Sequence, residues 1–327
     1  MSDSTSGLID QLSIEDLLGL GEPIYTAEEV SKAAGVSREG ARQLWRALGF
    51  VAPPEHEKFF TEADREILQR LARFIDRGVA DIDLVLGLTR TIGRSLRHVA
   101  EAEAEAIRES LLRRPEQLSR LVEEGALPQL VDDLESFLIH ALRRHFVDAF
   151  RRMNLEAADR ETVERAIGFA DLVGFTRLSR YLDSEELEEL IDRFETTAHD
   201  LVTEFGGRVV KTIGDEVMFV ADDAEAAVEA GLRLIEALTA FDDENISLRV
   251  GIAYGPVVAH RGDYFGPTAN LASRAVKVAR RNTVLVSDEI AGILEKRDDL
   301  EVKSIPRLRL RGLGAPRLNV VRRASKR

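Results

Sequence analysis

The sequence predicts an α+β protein in two parts: a separate all-α N-terminal domain and a C-terminal ferredoxin-like βαββαβ sheet. Three observations carry this expectation. The chain has 327 residues, more than one average domain. From about residue 12 to about 160 its apolar positions recur at helical spacing, and from about residue 165 short strand-like runs alternate with amphipathic helices. The expected boundaries are 1–150 for the helical domain, 151–164 for a linker and 165–327 for the mixed domain.

Composition narrows the class. A hydrophobic fraction of 44% beside 31% charged residues suits a soluble globular chain. The formal charge of −13 disfavours non-specific binding to nucleic acid or anionic lipid. Cysteine is absent, which excludes disulfides, thiolate catalysis and cysteine zinc sites. No apolar stretch approaches the roughly 20 residues of a membrane helix. The start, MSDSTSGLIDQLSIEDLLGL, is acidic where a signal peptide is basic, so a cytoplasmic location is expected.

In the helical half, YTAEEVSKAAGVSREGARQLWRALGF reads as two short helices. Thr26 caps the first with Glu29 three residues on, Gly35 makes the turn, and Ser37 caps the second. FFTEADREILQRL adds a third helix capped by Thr61. Residues of about 25–50 thus have a helix-turn-helix shape. Residues 26–50 carry four basic side chains (Lys32, Arg38, Arg42, Arg46) against three acidic ones (Glu28, Glu29, Glu39). A recognition helix sits in a more basic field, so a packing module is expected and DNA is not an expected partner. Residues 80–112 hold an alanine- and glutamate-rich helix. Residues 128–152 space Leu130, Leu134, Phe137, Leu138, Ala141, Leu142 and Phe146 as one apolar stripe, expected to be a core face or a helix-dimer seam rather than a ligand pocket.

In the mixed half, AIGFADLVGF is strand-like, SEELEELIDRFETTAHDLVTEFG is an amphipathic helix, and GRVVKTIGDEVMFVA reads as two strands around a Gly-Asp turn. AEAAVEAGLRLIEALTAF is a second helix, ISLRVGIAYGPVVAHRG two more strands, NLASRAVKVARR a third helix, TVLVSD a strand and RLRLRGLGAPRLNVV a terminal hairpin. The expected arrangement has the helices on one face of the sheet.

GFADLVGFTRLS ends an apolar run on Asp171. Burying a lone carboxylate is costly, so Asp171 needs a cation, a hydrogen-bond cage or an exposed strand end. In KTIGDEVMF, Asp215 sits at a tight turn where Gly214 can take positive φ. In a βαββ unit the end of the first strand lies beside the following hairpin turn, so the two carboxylates can converge. So close a pair repels unless a cation joins it, and Mg²⁺ is held by one or two carboxylates plus substrate phosphate. Such a pair can hold two metals for in-line attack on phosphorus. Spacing alone equally allows two unrelated, solvated turn aspartates.

FADLVGFT, KTIGDE and GDYFGPTANLASR together resemble, in order and spacing, the motifs of the class III nucleotidyl cyclases. These are the adenylyl and guanylyl cyclases that work as head-to-tail dimers. The resemblance spans about residues 163–322. It implies that Asp171 and Asp215 bind two Mg²⁺ or Mn²⁺ ions per site, with the carbonyl of Leu172 as a further ligand. It implies that the loop containing Gly174, Phe175 and Thr176 offers amides to a triphosphate. Lys211 and Asp263 match the residues that read adenine, Asn270 the ribose-orienting asparagine, and Arg274 the arginine that stabilises the transition state. Arg261, Arg309 and Arg311 are candidates for holding the terminal phosphates. The implied reaction converts ATP to 3′,5′-cyclic AMP and pyrophosphate by attack of the 3′-hydroxyl on the α-phosphorus. In this family the metal aspartates come from one subunit and the other four residues from its twin, so a homodimer holds two complete sites. A cyclase for GTP or a pyrimidine nucleotide, and a transcription regulator that senses nucleotide through a cyclase-like domain, are the alternatives.

More weakly, the helical half resembles the N-terminal regulatory domains of actinobacterial cyclases, some of which sense pH or bind lipid. That implies gating of the dimer by a small effector, a proton or a lipid. His98, His140 and His145 fall in its helices, and histidine titrates in the relevant range.

Overall fold

The computed structural model describes residues 17–156, 163–240 and 246–324. Residues 1–16, with most of the acidic start, and residues 157–162 of the expected linker lie outside them. Two compact units divide the chain, Met1–Arg151 and Arg152–Arg327.

The first unit is helical: α1 (Ala27–Ala34), α2 (Arg38–Leu48), α3 (Glu62–Asp76), α4 (Ile82–Arg113), α5 (Pro115–Glu123) and α6, which runs Leu127–Glu156. Local chemistry sets the first three. Thr26 and Glu29 form a reciprocal capping box, Gly35 ends α1 at φ 74°, and the Ser37 hydroxyl accepts from the Gly40 amide. Thr61 forms a second box with Asp64. Leu44 and Ala47 of α2 pack on Val85 and Leu86 of α4, with Leu68, Leu71 and Ile75 of α3 against them. Trp45 stacks beside Phe50 at 4.6 Å and Phe60 at 4.9 Å, and its indole nitrogen donates to the Val51 carbonyl. On α2, Arg42 pairs with Glu39 and Arg38 with Glu55, so the field of the helix-turn-helix-like segment is largely neutralised. Much of the α6 stripe is exposed: Phe137 is 65% exposed, and Leu130, Leu142 and Phe146 are also exposed, while Leu134, Leu138 and Ala141 are half-buried. Its exposed members leave a helix-dimer seam open, while the half-buried ones keep part of the stripe against its own unit.

The second unit contains a sheet of eight strands: β1 (Val163–Leu172), β2 (Arg208–Ile213), β3 (Glu216–Ala221), β4 (Leu248–His260), β5 (Asp263–Phe265), β6 (Thr283–Ser287), β7 (Leu300–Ser304) and β8 (Leu318–Arg323). The helices are α7 (Phe175–Leu178), α8 (Ser184–Glu204), α9 (Ala224–Ala240), α10 (Pro267–Val278) and α11 (Asp288–Ile293). The strand order is β2-β3-β1-β4-β6-β8-β7, with β5 paired to β4. Its first four strands and the helices α8 and α9 make the ferredoxin-like unit. β1 lies between β3 and β4 and is buried from Ala166 to Leu172, which explains its nearly continuous apolar run.

Three details differ from the sequence expectation. The helices occupy both faces: Phe194, Val202, Val228 and Leu234 of α8 and α9 pack on one, while Ala269, Ala272 and Val276 of α10 pack on the other with Ile167, Phe169 and Met218. β4 is one strand rather than two, because its first ten residues pair with β1 and its last three with β5. The terminal hairpin is formed by β7 and β8. The Leu-Arg repeat expected in it is instead a loop with an isolated Leu310–Gly314 bridge.

Close approach of α10 to the sheet depends on Gly251. A Cβ there would lie 2.3 Å from the Val276 amide nitrogen and 2.7 Å from the Ala272 carbonyl oxygen. Both are backbone atoms of α10, so the helix itself must move. Gly251→Ala is expected to destabilise the protein by about 3 kcal/mol or more, seen by calorimetry as a fall of roughly 6–12 °C in this unit's melting midpoint.

Candidate active site

Asp171 closes the buried part of β1. Antiparallel register places Glu216 of β3 on one side of it and Arg249 of β4 on the other, all on the α10 face of the sheet. Asp171 is 7% exposed. Burial pushes its pKa up, and the Arg249 guanidinium, which donates to Oδ2, opposes that shift. Glu216 is also pushed up by burial, with Lys277 at the end of α10 as the main opposing charge. Arg249 reaches the Lys277 carbonyl as well, at 3.4 Å.

Asp215 occupies the β2–β3 turn, where Gly214 takes φ 64°. The Leu172 amide donates to the Asp215 carbonyl at 3.0 Å, which ties the turn to the end of β1. The two aspartates expected to converge are therefore held at adjoining backbone positions. Immediately downstream, Gly174 takes φ 82° and precedes α7. Within that turn the Arg177 and Leu178 amides donate to the Gly174 carbonyl. The amides of Phe175 and Thr176 come before the turn's own bonding begins.

Lys211 and Asp263 meet directly as an ion pair, although 52 residues separate them. Asp263 stands at the start of β5, its Oδ1 accepting from the Tyr264 amide at 2.8 Å. The β4–β5 ribbon folds back over the sheet, since Tyr264 is buried among Ile167, Met218 and Val220. Asn270 and Arg274 lie on one face of α10, both exposed, and neither side chain has a hydrogen bond or ion pair among the described residues. Arg261 sits at the ribbon tip with φ 53°. Arg309 and Arg311 flank Leu310, which is buried with Ala275 of α10 and Leu318. All three arginines are exposed, and this arrangement does not single one out.

The residues at Asp171 fit a hard divalent cation. They supply a buried carboxylate whose charged form burial disfavours and which Arg249 now pairs with, and a second carboxylate from the adjoining turn. Oxygen donors of this kind suit Mg²⁺ or Mn²⁺. Among the described residues no group of three or more His, Cys, Asp or Glu side chains is set to enclose a metal. Two carboxylates leave most coordination positions to phosphate oxygens and water.

Residues 158–321 match the profile described as the adenylate and guanylate cyclase catalytic domain, and residues 2–145 match the adenylate cyclase regulatory domain. The chain belongs to the adenylate and guanylate cyclase family. An adenylate cyclase of Streptomyces coelicolor is 42% identical over 86% of this chain and 74% of its own length. One from Streptomyces griseus is 41% identical over 86% and 71%. A pH-sensitive adenylate cyclase of Mycobacterium tuberculosis is 32% identical over 97% and 82%. No helix of the cyclase, among the described residues, is long and apolar enough to cross a membrane.

Sequence reasoning missed three charged neighbours of Asp171: Arg249, Glu216 and Lys277. Arg249 had a usable signal, a lone cation inside the apolar strand LRVGIAYG. Glu216 and Lys277 had none, because only strand register and helix docking bring them to Asp171.

Proposed function

We propose that this adenylate cyclase converts ATP to 3′,5′-cyclic AMP and pyrophosphate at two sites, each built from two copies of the chain. One observation carries the reading. Asp171 and Lys211 lie on the α10 face of the sheet, with Asp215 in the adjoining turn, Asp263 on the ribbon folded over that face, and Asn270 and Arg274 on α10 itself. Exposed Ile213, Val258 and Phe265 lie on the strands of the same region, and Asn270 and Arg274 are exposed beside them on α10. The exposed apolar side chains, and the absence of a bonded partner for Asn270 and Arg274 among the described residues, favour a second copy docked there.

In this mechanism Asp171 and Asp215 of one copy would hold the divalent cations, and the amides after Gly174 would receive phosphate oxygens. Divalent ions bound there would supply Lewis acidity to the 3′-hydroxyl and neutralise the triphosphate. Arg249, which donates to Asp171 in this structure, would be free to meet a phosphate oxygen if a cation took its place. From the partner copy, Lys211 donates to an adenine ring nitrogen while Asp263 accepts from the exocyclic amine. Asn270 orients the ribose, and Arg274 places its donor fork where charge builds on the α-phosphoryl oxygens. Arg261, Arg309 or Arg311 holds the departing pyrophosphate. Positioning and charge supply most of the rate.

The helical unit gates this dimer. Support comes from its match to a regulatory domain, from the four exposed side chains of the α6 stripe as a seam between copies, and from the start of β1 seven residues after the end of α6. A cavity of about 340 Å³ lined by Val30, Leu44, Trp45 and Phe60, with both basic (Arg38, Arg42) and acidic (Glu55, Asp64) side chains on its wall, offers room for a small, largely apolar effector. His98, His140 and His145 are all exposed on α4 and α6. If protons act through them, the triple His→Gln variant will lose the pH dependence of the full chain between about pH 5.5 and 8; an unchanged profile removes these histidines from the gate.

The substrate assignment is tested by supplying ATP, GTP, UTP and CTP separately with Mn²⁺ and assaying each cyclic product. Cyclic AMP is expected to dominate. A preference for GTP, or no cyclic product from any of them, would overturn it.

A further inference from the structure

Lys211 and the residue three before it, Arg208, should face opposite sides of β2, because side chains alternate along a strand. They do not. The β2–β3 register slips between Val209 and Lys211, so Arg208 pairs with Val220 and Lys211 with Met218. Val220 and Met218 are two apart and lie in the same apolar cluster, so the extra residue, Val210, returns Arg208 to the face of Lys211. A bulge that re-aims a side chain in this way is a device found beside functional sites.

Both cations then reach the β4–β5 ribbon at consecutive residues. Lys211 takes Asp263, and the Arg208 guanidinium donates to the Tyr264 hydroxyl. The Arg208 guanidinium carbon also lies 5.4 Å from the centre of the Tyr264 ring. The Tyr264 amide holds Oδ1 of Asp263 at 2.8 Å. The tyrosine is therefore buried in the sheet at one end, attached to β2 at the other, and bonded through its backbone to the carboxylate that would meet the base.

We propose that Arg208 and Tyr264 form a positioning pair that sets the distance and angle between Lys211 and Asp263, and so governs discrimination between adenine and guanine nucleotides. This rests on the reading of Lys211 and Asp263 as the base-reading pair. Neither Arg208 nor Tyr264 touches the nucleotide in this arrangement; each acts by fixing the ribbon against β2.

The test uses full-length protein. Tyr264→Phe keeps the buried ring and removes only the oxygen, and Arg208→Met keeps length and removes the donors. Measured quantities are kcat and KM for ATP, the inhibition constant of GTP, and the melting midpoint. Each single variant is expected to raise the KM for ATP about tenfold, the scale of one lost hydrogen bond to a charged group, with kcat nearly unchanged. GTP inhibition should hold or strengthen, so the ATP:GTP ratio falls. The double variant should be no worse than either single one, because the pair acts as a unit. Arg208→Lys, which keeps a donor, should retain most of the selectivity. Equal loss for ATP and GTP with a lowered melting midpoint would reduce the pair to a structural contact and overturn the proposal, as would single effects that multiply in the double variant. Lys211→Met, run in parallel, separates the two layers. Should it leave the ATP:GTP ratio intact, the base-reading assignment falls and the clamp with it. If it collapses the ratio while Tyr264→Phe does not, the clamp alone is wrong.

Discussion

Asp215→Ala and Asp171→Ala are each expected to cut cyclic AMP formation by about three orders of magnitude or more, the scale of removing a group that stabilises charge in the transition state. Asp171→Asn is the more telling variant. Its amide oxygen can still accept from Arg249, so β1 and β4 keep their contact while the negative charge goes. Because burial already pushes the Asp171 pKa up, removing that charge should leave the melting midpoint unchanged or higher even as activity vanishes. Opposite signs for stability and activity are what a buried carboxylate kept for a cation should give. Mn²⁺ titration followed by electron paramagnetic resonance should show weakened binding in the same variants. Retention of more than a tenth of the activity in Asp171→Asn would sink the assignment.

Co-expressing Asp215→Ala with Arg274→Ala is expected to restore activity that neither shows alone. In a mixed dimer, one site takes its aspartates from the Arg274→Ala chain and its arginine from the Asp215→Ala chain, and is intact. The other site carries both lesions. Random pairing makes half the dimers mixed, each with one working site of two, so roughly a quarter of the unmutated activity should return. Two variants lesioned on the same side, Asp171→Ala and Asp215→Ala, should give no recovery. A single-chain site would fail to recover in either mixture, which makes the pattern of recovery the deciding observation.

Much of this protein was readable one segment at a time. Thr26, Ser37 and Thr61 were legible as caps because a capping box is closed within four residues. The alternating strand–helix order pointed to a ferredoxin-like unit, since a βαββαβ chain has few ways to cover its own sheet. Asp171 and Asp215 stood out as carboxylates where apolar runs end, and a backbone hydrogen bond between Leu172 and Asp215 now joins them. The helix α10 on the second face was not readable, because its position depends on Gly251, and a glycine in a strand does not announce what approaches it. The β7–β8 pairing was hidden for a related reason: β7 is an edge strand of five residues with only part of its length buried, so its pattern is weak.

The linear order of residues was enough to determine the caps and the periods of helix and strand, because each depends on neighbours a few positions away. Only the tertiary structure decided that Arg249 faces Asp171 from 78 residues on, that Lys211 meets Asp263 from 52, and that Arg208 shares their face. Those outcomes follow from strand register and one bulged residue, where a slip of a single position turns every side chain to the opposite side of the sheet.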